Sequence, residues 1–420
     1  MSRKRLRNHL QNLALVLLTL SALFLLSRLS LLQNIRLPAQ TLFSTAPSSG
    51  GPEEDALPAA MFPAVSLMIT GDSQYGRYGR LCLRADDDAL QAVASLFQEA
   101  LGSAGLTGEA GDDALRSALD GPGLYLEPVC GALPLEAVAA WLGGEADFSL
   151  NLRAMALTAG EGDSASLYLL DGEGKIFSCN TALPSSAVRS VCDGFPPNGA
   201  YFSYETGYIT LEPYTVLRRE IDELPDVQAE LPAGYSAYNL LTALDFNAHT
   251  LSRYTESSGA EVVEESPRTL RISPDGTVTF TSRWQSELPL YRASGQGLRE
   301  TLAAAWRLAE ALTEGTGASP LHLWSVEEGE EGTSVSFCYQ LEGVPIRFSD
   351  ESAALTVVFR DGNATSFTYR CRIYTPLEEE APRLIPVSIA QAIAAGYPDA
   401  KLSVGYKDDG SGRLSAQWLR

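Results

Sequence analysis

Apolar positions along this 420-residue chain change their rhythm twice. From Leu13 to Leu26 they form an almost unbroken run, and no charged residue interrupts Asn8 to Ser27. A helix needs ~20 mostly apolar residues to cross ~30 Å of hydrocarbon, so the run predicts a transmembrane helix within residues 10–32. Residues 33–61 lose that pattern. They are rich in Pro, Ser, Gly and Ala, hold the acidic patch Glu53, Glu54 and Asp55, and read as a linker. From residue 62 onward, short apolar segments alternate with turn residues and helical stretches. The predicted class is α+β: a single N-terminal transmembrane helix, then a multi-domain extracytoplasmic body of antiparallel sheets with packed helices.

Within residues 62–212, Ala64 to Ile69 and Leu81 to Leu83 read as a hairpin. A helix follows Asp86-Asp87-Asp88, with Leu90, Val93, Phe97 and Leu101 at helical spacing and Gly102 at its end; the acids suit its N-terminus. Leu124 to Leu126 reads as a strand and Leu135 to Trp141 as a short helix. Leu167 to Leu170 and Lys175 to Cys179 form a hairpin across Asp171-Gly172-Glu173-Gly174. A helix at Ser186 to Val191 and strands near Tyr201 and Tyr208 complete this N-terminal domain. A middle domain, 213–293, follows a proline-punctuated stretch. It begins with a helix from Tyr238 to Leu244 and continues in strands at Ser252 to Thr255, Arg268 to Ile272 and Thr277 to Thr281, the last two joined by Ser273-Pro274-Asp275-Gly276. A C-terminal domain, 294–420, opens with an amphipathic helix from Leu298 to Leu312. Strands are expected at Leu321 to Trp324, Ser334 to Leu341, Leu355 to Phe359 and Ser366 to Ile373, with the turn Asp361-Gly362-Asn363. A helix from Ser388 to Ala395 and strands at Leu402 to Tyr406 and near Trp418 end the chain. The last two domains share an order, a helix and then a strand meander with an Asp-Gly turn near its end, and so read as a duplicated unit.

Charge gives the apolar run a direction. Arg3, Lys4, Arg5 and Arg7 make residues 1–9 a basic head, which the positive-inside rule keeps in the cytoplasm. The expected location is the cell membrane, with the body outside. The rival is a cleaved signal peptide, which needs a small-x-small site soon after the run. Ser27-Arg28-Leu29 does not supply one, and Ser44-Thr45-Ala46 comes late and precedes Pro47. The chain has 31 Lys+Arg and 52 Asp+Glu, a net charge of −21. The first 36 residues hold six bases and no acid, so the rest carries 25 bases against 52 acids, or −27. Such a body repels nucleic acid and anionic lipid. It suits a cationic partner or calcium, although solubility alone explains it.

The chemistry-bearing residues do not converge in sequence. The six cysteines, at 82, 130, 179, 192, 338 and 371, show no C-x-x-C spacing. Cys179 with Cys192 and Cys338 with Cys371 are possible disulfides, and buried thiols are the alternative. Beyond the head only His249 and His322 occur. No nucleophile elbow, metalloprotease motif or phosphate loop is present. No catalytic, cofactor-binding or metal-ligating residue is therefore expected. Paired carboxylates leave no local spacing, which keeps an anchored cell-wall hydrolase as an alternative, beside an anchored binding or assembly module. The runs Glu327 to Glu331 and Glu378 to Glu380 read as solvated loops, and Asn363-Ala364-Thr365 fits a glycosylation sequon.

Several stretches resemble the YycH/YycI family of membrane-anchored regulators. They are Asp245-Phe246-Asn247 through Arg253-Tyr254-Thr255 to Leu270-Arg271-Ile272 and Asp275-Gly276-Thr277, then Val335 to Tyr339, Gly343-Val344-Pro345-Ile346, the Pro386 helix and Trp418. The resemblance implies no enzymatic activity and no cofactor. It implies regulation of a two-component sensor histidine kinase that controls cell-wall metabolism, with a sister regulator as a second membrane partner and contacts made by the transmembrane helix and the outer body. The helical face Leu13, Val16, Leu20 and Phe24, flanked by small Ala14, Ser21 and Ala22, is the expected partner contact, with lipid exposure as the alternative.

Overall fold

Two sheets organise the molecule, and they differ in how many faces they bury. The computed structural model describes residues 57–419, apart from 72–75, 161, 208–210, 219–222, 248, 250–251, 283–287, 331, 379–383 and 397–401. The expected transmembrane helix, with Leu13, Val16, Leu20 and Phe24, lies outside the described residues, as does the expected strand at Tyr208. No described helix is long and apolar enough to cross a membrane. The class is α+β with mostly antiparallel sheets.

The first sheet has eight strands: β1 (Val65–Thr70), β2 (Tyr78–Leu83), β3 (Gly105–Ala110), β4 (Gly123–Pro128), β5 (Leu133–Pro134), β6 (Asn151–Thr158), β7 (Ser164–Asp171) and β8 (Ile176–Pro184). Their order is β2-β1-β4-β6-β7-β8-β3, with β5 beside β6. Four helices interleave: α1 (Asp88–Gly102), α2 (Asp112–Leu119), α3 (Leu135–Trp141) and α4 (Ser185–Cys192). Asp87 caps α1 by accepting from the Ala89 amide at 2.9 Å, the cap role expected of that acidic triplet. Both faces of the sheet are covered. On one, Met68, Tyr125, Ala154, Ala156 and Leu170 pack with Leu115 and Leu119 of α2, and with Ala200, Phe202, Tyr214 and Val216 from the short pair β9 (Ala200–Phe202) and β10 (Val216–Arg218). The other face packs on α1 and α4. The strands β3 and β6 and the helix α2 were not among the expected elements. The central β6 is Asn-Leu-Arg-Ala-Met-Ala-Leu-Thr with seven of its eight positions at least partly buried. A strand covered on both sides shows no polar alternation, and this one is rich in residues that also suit a helix.

The second sheet contains β12 (Arg253–Thr255), β13 (Glu261–Glu265), β14 (Arg268–Ile272), β15 (Thr277–Ser282), β16 (Leu321–Gly329), β17 (Gly332–Leu341), β18 (Val344–Phe348), β19 (Leu355–Arg360), β20 (Asn363–Arg370), β22 (Ser403–Asp408) and β24 (Ala416–Leu419). The remaining strands β11 (Val227–Glu230), β21 (Ile373–Pro376) and β23 (Arg413–Leu414) form a small sheet of their own. The helices are α5 (Ala237–Ala243), α6 (Leu298–Thr316) and α7 (Val387–Ala394). The segments expected as middle and C-terminal domains both give strands to this one sheet. Each has the expected order of helix then meander. The meanders meet through the antiparallel pair β15–β20, with Phe280 opposite Phe367 and Thr279 opposite Thr368. From that pair the strands run outward in mirrored order, β14-β13-β12 one way and β19-β17 the other. The turns sit at matching places: Gly276 has φ 91°, and Asp361 and Gly362 have φ 51° and 76°. Two successive left-handed residues give the turn geometry that a tight hairpin favours.

One face of this sheet is core. Phe280 stacks on Phe367 at 5.5 Å and meets Phe246 edge-on at 6.2 Å. Trp306 of α6 packs on Phe337 at 6.3 Å, and α5 lies against α6. The run Glu327-Glu328, expected as a loop, lies on β16 with both side chains exposed; the hairpin β16–β17 extends beyond the core and holds them in strand pairing.

Candidate functional site

Alternation along β15, β20, β19 and β17 places the other face of the second sheet toward solvent. Thr279, Thr368, Thr356 and Ser336 lie in one row across these four strands. Thr281, Ser366, Val358 and Ser334 lie in the next. All are exposed or half-buried, and the Ser336 and Thr356 hydroxyls hydrogen-bond at 3.2 Å. This is a hydroxyl-rich platform with no nucleophile–base pair on it.

A polar cleft of about 770 Å³ lies between β2, the start of α1, and Glu342 of the β17–β18 turn. Its lining includes Arg80, Cys82, Arg84 and Asp86 to Asp88. Its two arginines face four acids, Asp86, Asp87, Asp88 and Glu342, and two of those acids pair with them. Arg84 pairs with Asp86 at 2.9 Å and Arg80 with Asp87 at 3.5 Å, while Asp87 also serves as the α1 cap. A second charged group is more buried. Arg153 of β6 bridges Glu127 at 3.2 Å and Glu212 at 2.6 Å, and Tyr125 donates to Glu127 at 3.1 Å. Burial raises the Glu127 carboxyl above its ordinary range, against the opposing pull of Arg153. Burial acts to lower the Arg153 guanidinium, but the facing acids hold it above its usual value. The two carboxylates thus neutralise one arginine, and the group ties β4 and β6 to the segment before β10.

The residues flagged by sequence are dispersed. His322, on β16, is half-buried with Nδ1 3.3 Å from the Phe62 carbonyl, and burial lowers its pKa. His249 is exposed. Among the described residues no group of His, Cys, Asp and Glu could hold a metal ion. All six cysteines are free thiols, so neither pairing considered, Cys179 with Cys192 or Cys338 with Cys371, is formed. Asn363 is 9% exposed, a poor glycan acceptor because the transferred sugar needs an open side chain.

A surface not foreseen is on α7. Ala390 and Ala394 face inward, packing with Leu211, Leu217 and Leu402, and with Tyr201 and Trp418. Ile389 and Ile393, one helical turn apart on α7, face outward, each 50% exposed, and Ile385, just before the helix, is 43% exposed. The Trp418 indole donates to the Ile385 carbonyl at 2.9 Å. Sequence periodicity would turn the isoleucines inward, since they are larger than the alanines. The available signal was that six of its eight residues are apolar, more than one face of a surface helix needs, which leaves some over for something else. No protein-family model, curated protein or solved structure matches the chain.

Proposed function

We propose that this chain is a membrane-anchored extracytoplasmic regulator of a two-component sensor histidine kinase controlling cell-wall metabolism, and that it acts by protein–protein contact rather than by catalysis. The observation that carries the reading is the outward pair Ile389 and Ile393 on a helix whose other face is already packed, with exposed Ile385 just before it. Exposed apolar surfaces of this kind serve contact. The basic head and the apolar run from Leu13 to Leu26 support a bitopic anchor, and the YycH/YycI resemblance supports the kinase as partner. A single helix packed beside kinase helices, with a body that grips the outer domain, biases the kinase between two arrangements.

Crosslinking native membranes and purifying the chain tests this. The kinase is expected in the captured complex, reduced by Ile389→Asp with Ile393→Asp. The reading fails if no kinase is captured and if exchanging residues 10–32 for an unrelated helix leaves signalling unchanged.

A further inference from the structure

The first lobe, built around the eight-stranded sheet, leaves β2 at its edge, and at Gly79 a side chain covers that edge. Asn198 lies between α4 and β9. Its Oδ1 accepts from the Gly79 amide at 2.9 Å, and its Nδ2 donates to the Gly79 carbonyl at 2.7 Å. One carboxamide thus satisfies both backbone groups of Gly79, as a neighbouring strand would. The Asn198 amide donates to the Arg77 carbonyl at 3.0 Å, which fixes the backbone behind this clasp. The approach is close. Gly79 is buried, and a Cβ on it would lie 2.5 Å from the Ala200 Cβ and 3.1 Å from Val216 Cγ1. Beside the clasp, the Tyr78 and Phe195 rings meet at 5.0 Å.

The residue after Asn198 gives the clasp a chemistry. Asn198-Gly199 is the one Asn-Gly pair in the chain. Asparagine is thermolabile, and a following glycine, with no Cβ in the way, lets its amide nitrogen reach the side-chain carbon most easily. Gly199 is exposed, with φ 76°. We propose that Asn198 is a deamidation site restrained by its clasp on Gly79, and that its conversion unfastens the β2 edge. The Gly199 nitrogen gives its proton to solvent base and attacks Asn198 Cγ. The bond from Cγ to the carboxamide nitrogen breaks, and that nitrogen takes up a proton and leaves as ammonia. Water then opens the cyclic imide at either carbonyl, giving an aspartyl or an isoaspartyl residue. The net change is one water in and one ammonia out. In the folded chain two hydrogen bonds hold the carboxamide on Gly79, so ring closure waits for local opening. After conversion, a carboxylate still accepts from the Gly79 amide but has no hydrogen to donate. It sets a negative oxygen against the buried Gly79 carbonyl. The isoaspartyl form also lengthens the backbone beside Arg77. Either product leaves the β2 edge open, and neither reverts. The inference is independent of the kinase reading.

The test is incubation of the full chain in mildly alkaline buffer, folded and in urea, with peptide mapping that scores amide against acid at residue 198. Conversion should be at least about tenfold slower in the folded chain than in urea, the ratio that a modest cost of local opening gives. Asn198→Asp, and wild-type chain converted by ageing and separated by charge, should each unfold at a lower midpoint and lose hydrogen-exchange protection at the Gly79 amide. The aged chain decides the matter if Asn198→Asp does not fold. Equal conversion rates in the two conditions, or none at Asn198 in urea, overturns the restrained site. A wild-type midpoint with intact Gly79 protection in the aged, converted chain overturns the unfastening.

Discussion

The two large sheets contrast most clearly in β6 and β15. The first-lobe strand β6 has Ala156 and Leu157 as neighbours, pointing to opposite faces, and both are fully buried. In β15, Phe280 is fully buried while Thr279 is only half-buried and Thr281 exposed. The first sheet is a closed middle layer around β6, while the second is half-open along β15, β20 and β19 and covered on both faces at β18. A sheet with one free face can offer a surface without unfolding anything, whereas a sheet covered on both faces must first shed a layer. The second sheet is therefore the part of this molecule able to change its partners at little structural cost.

An aspartate scan is the sharpest way to break this contrast. Ala156→Asp and Leu157→Asp should each cost more than about 4 kcal/mol, because either face of β6 buries an unpaired charge. Phe280→Asp should do the same, but Thr279→Asp should leave the chain folded. Urea unfolding checks all four, and a tolerated Ala156→Asp would open the first sheet to reinterpretation. Next in size is Arg153→Met. It leaves Glu127 and Glu212 facing each other without their shared arginine and should cost about 2–4 kcal/mol by the same measurement. A smaller effect depends on pH. His322 has a lowered pKa in the fold, so its neutral form is favoured there. Stability from this site is complete above the ordinary histidine pKa, ~6.5, and is lost as pH falls through the folded value. Unfolding midpoints at pH 7 and 5 should therefore differ, and His322→Asn should narrow the gap. The smallest effect is expected on the platform, where Thr368→Ala should change stability by no more than ~0.5 kcal/mol. A larger loss there would mean that the open face is structurally occupied.

The same contrast explains what the sequence made legible. The strand Thr277–Ser282 reads Thr-Val-Thr-Phe-Thr-Ser, a clean alternation, because one of its faces meets water. Its turn partner was marked by Pro274-Asp275-Gly276, where Gly276 holds a positive φ that few other residues adopt. The strand β6 offered neither cue, being buried on both sides and made of residues that also suit a helix. The edge strand β3 (Gly-Leu-Thr-Gly-Glu-Ala) carries two glycines and an irregular register, which hide a strand period. Pairing at a distance was illegible for another reason. Nothing local to Thr279 names Thr368 as its neighbour. Ile389 and Ile393 were legible as part of a helix, but which side of that helix met the core was decided by Leu211, Leu217 and Leu402.

The mirrored meeting of the two meanders at β15 and β20 also sets a timetable. A ribosome releases β12 to β15 first, and the inner edge of Thr277–Ser282 has no partner until Asn363–Arg370 emerges. At ordinary synthesis rates that wait is on the order of ten seconds. During it, the future centre of the sheet is an open β edge with Val278 and Phe280 beside it, the kind of strand other chains add to. The position most protected in the finished molecule is thus the most vulnerable in the nascent one, where a holding chaperone would have to cover it.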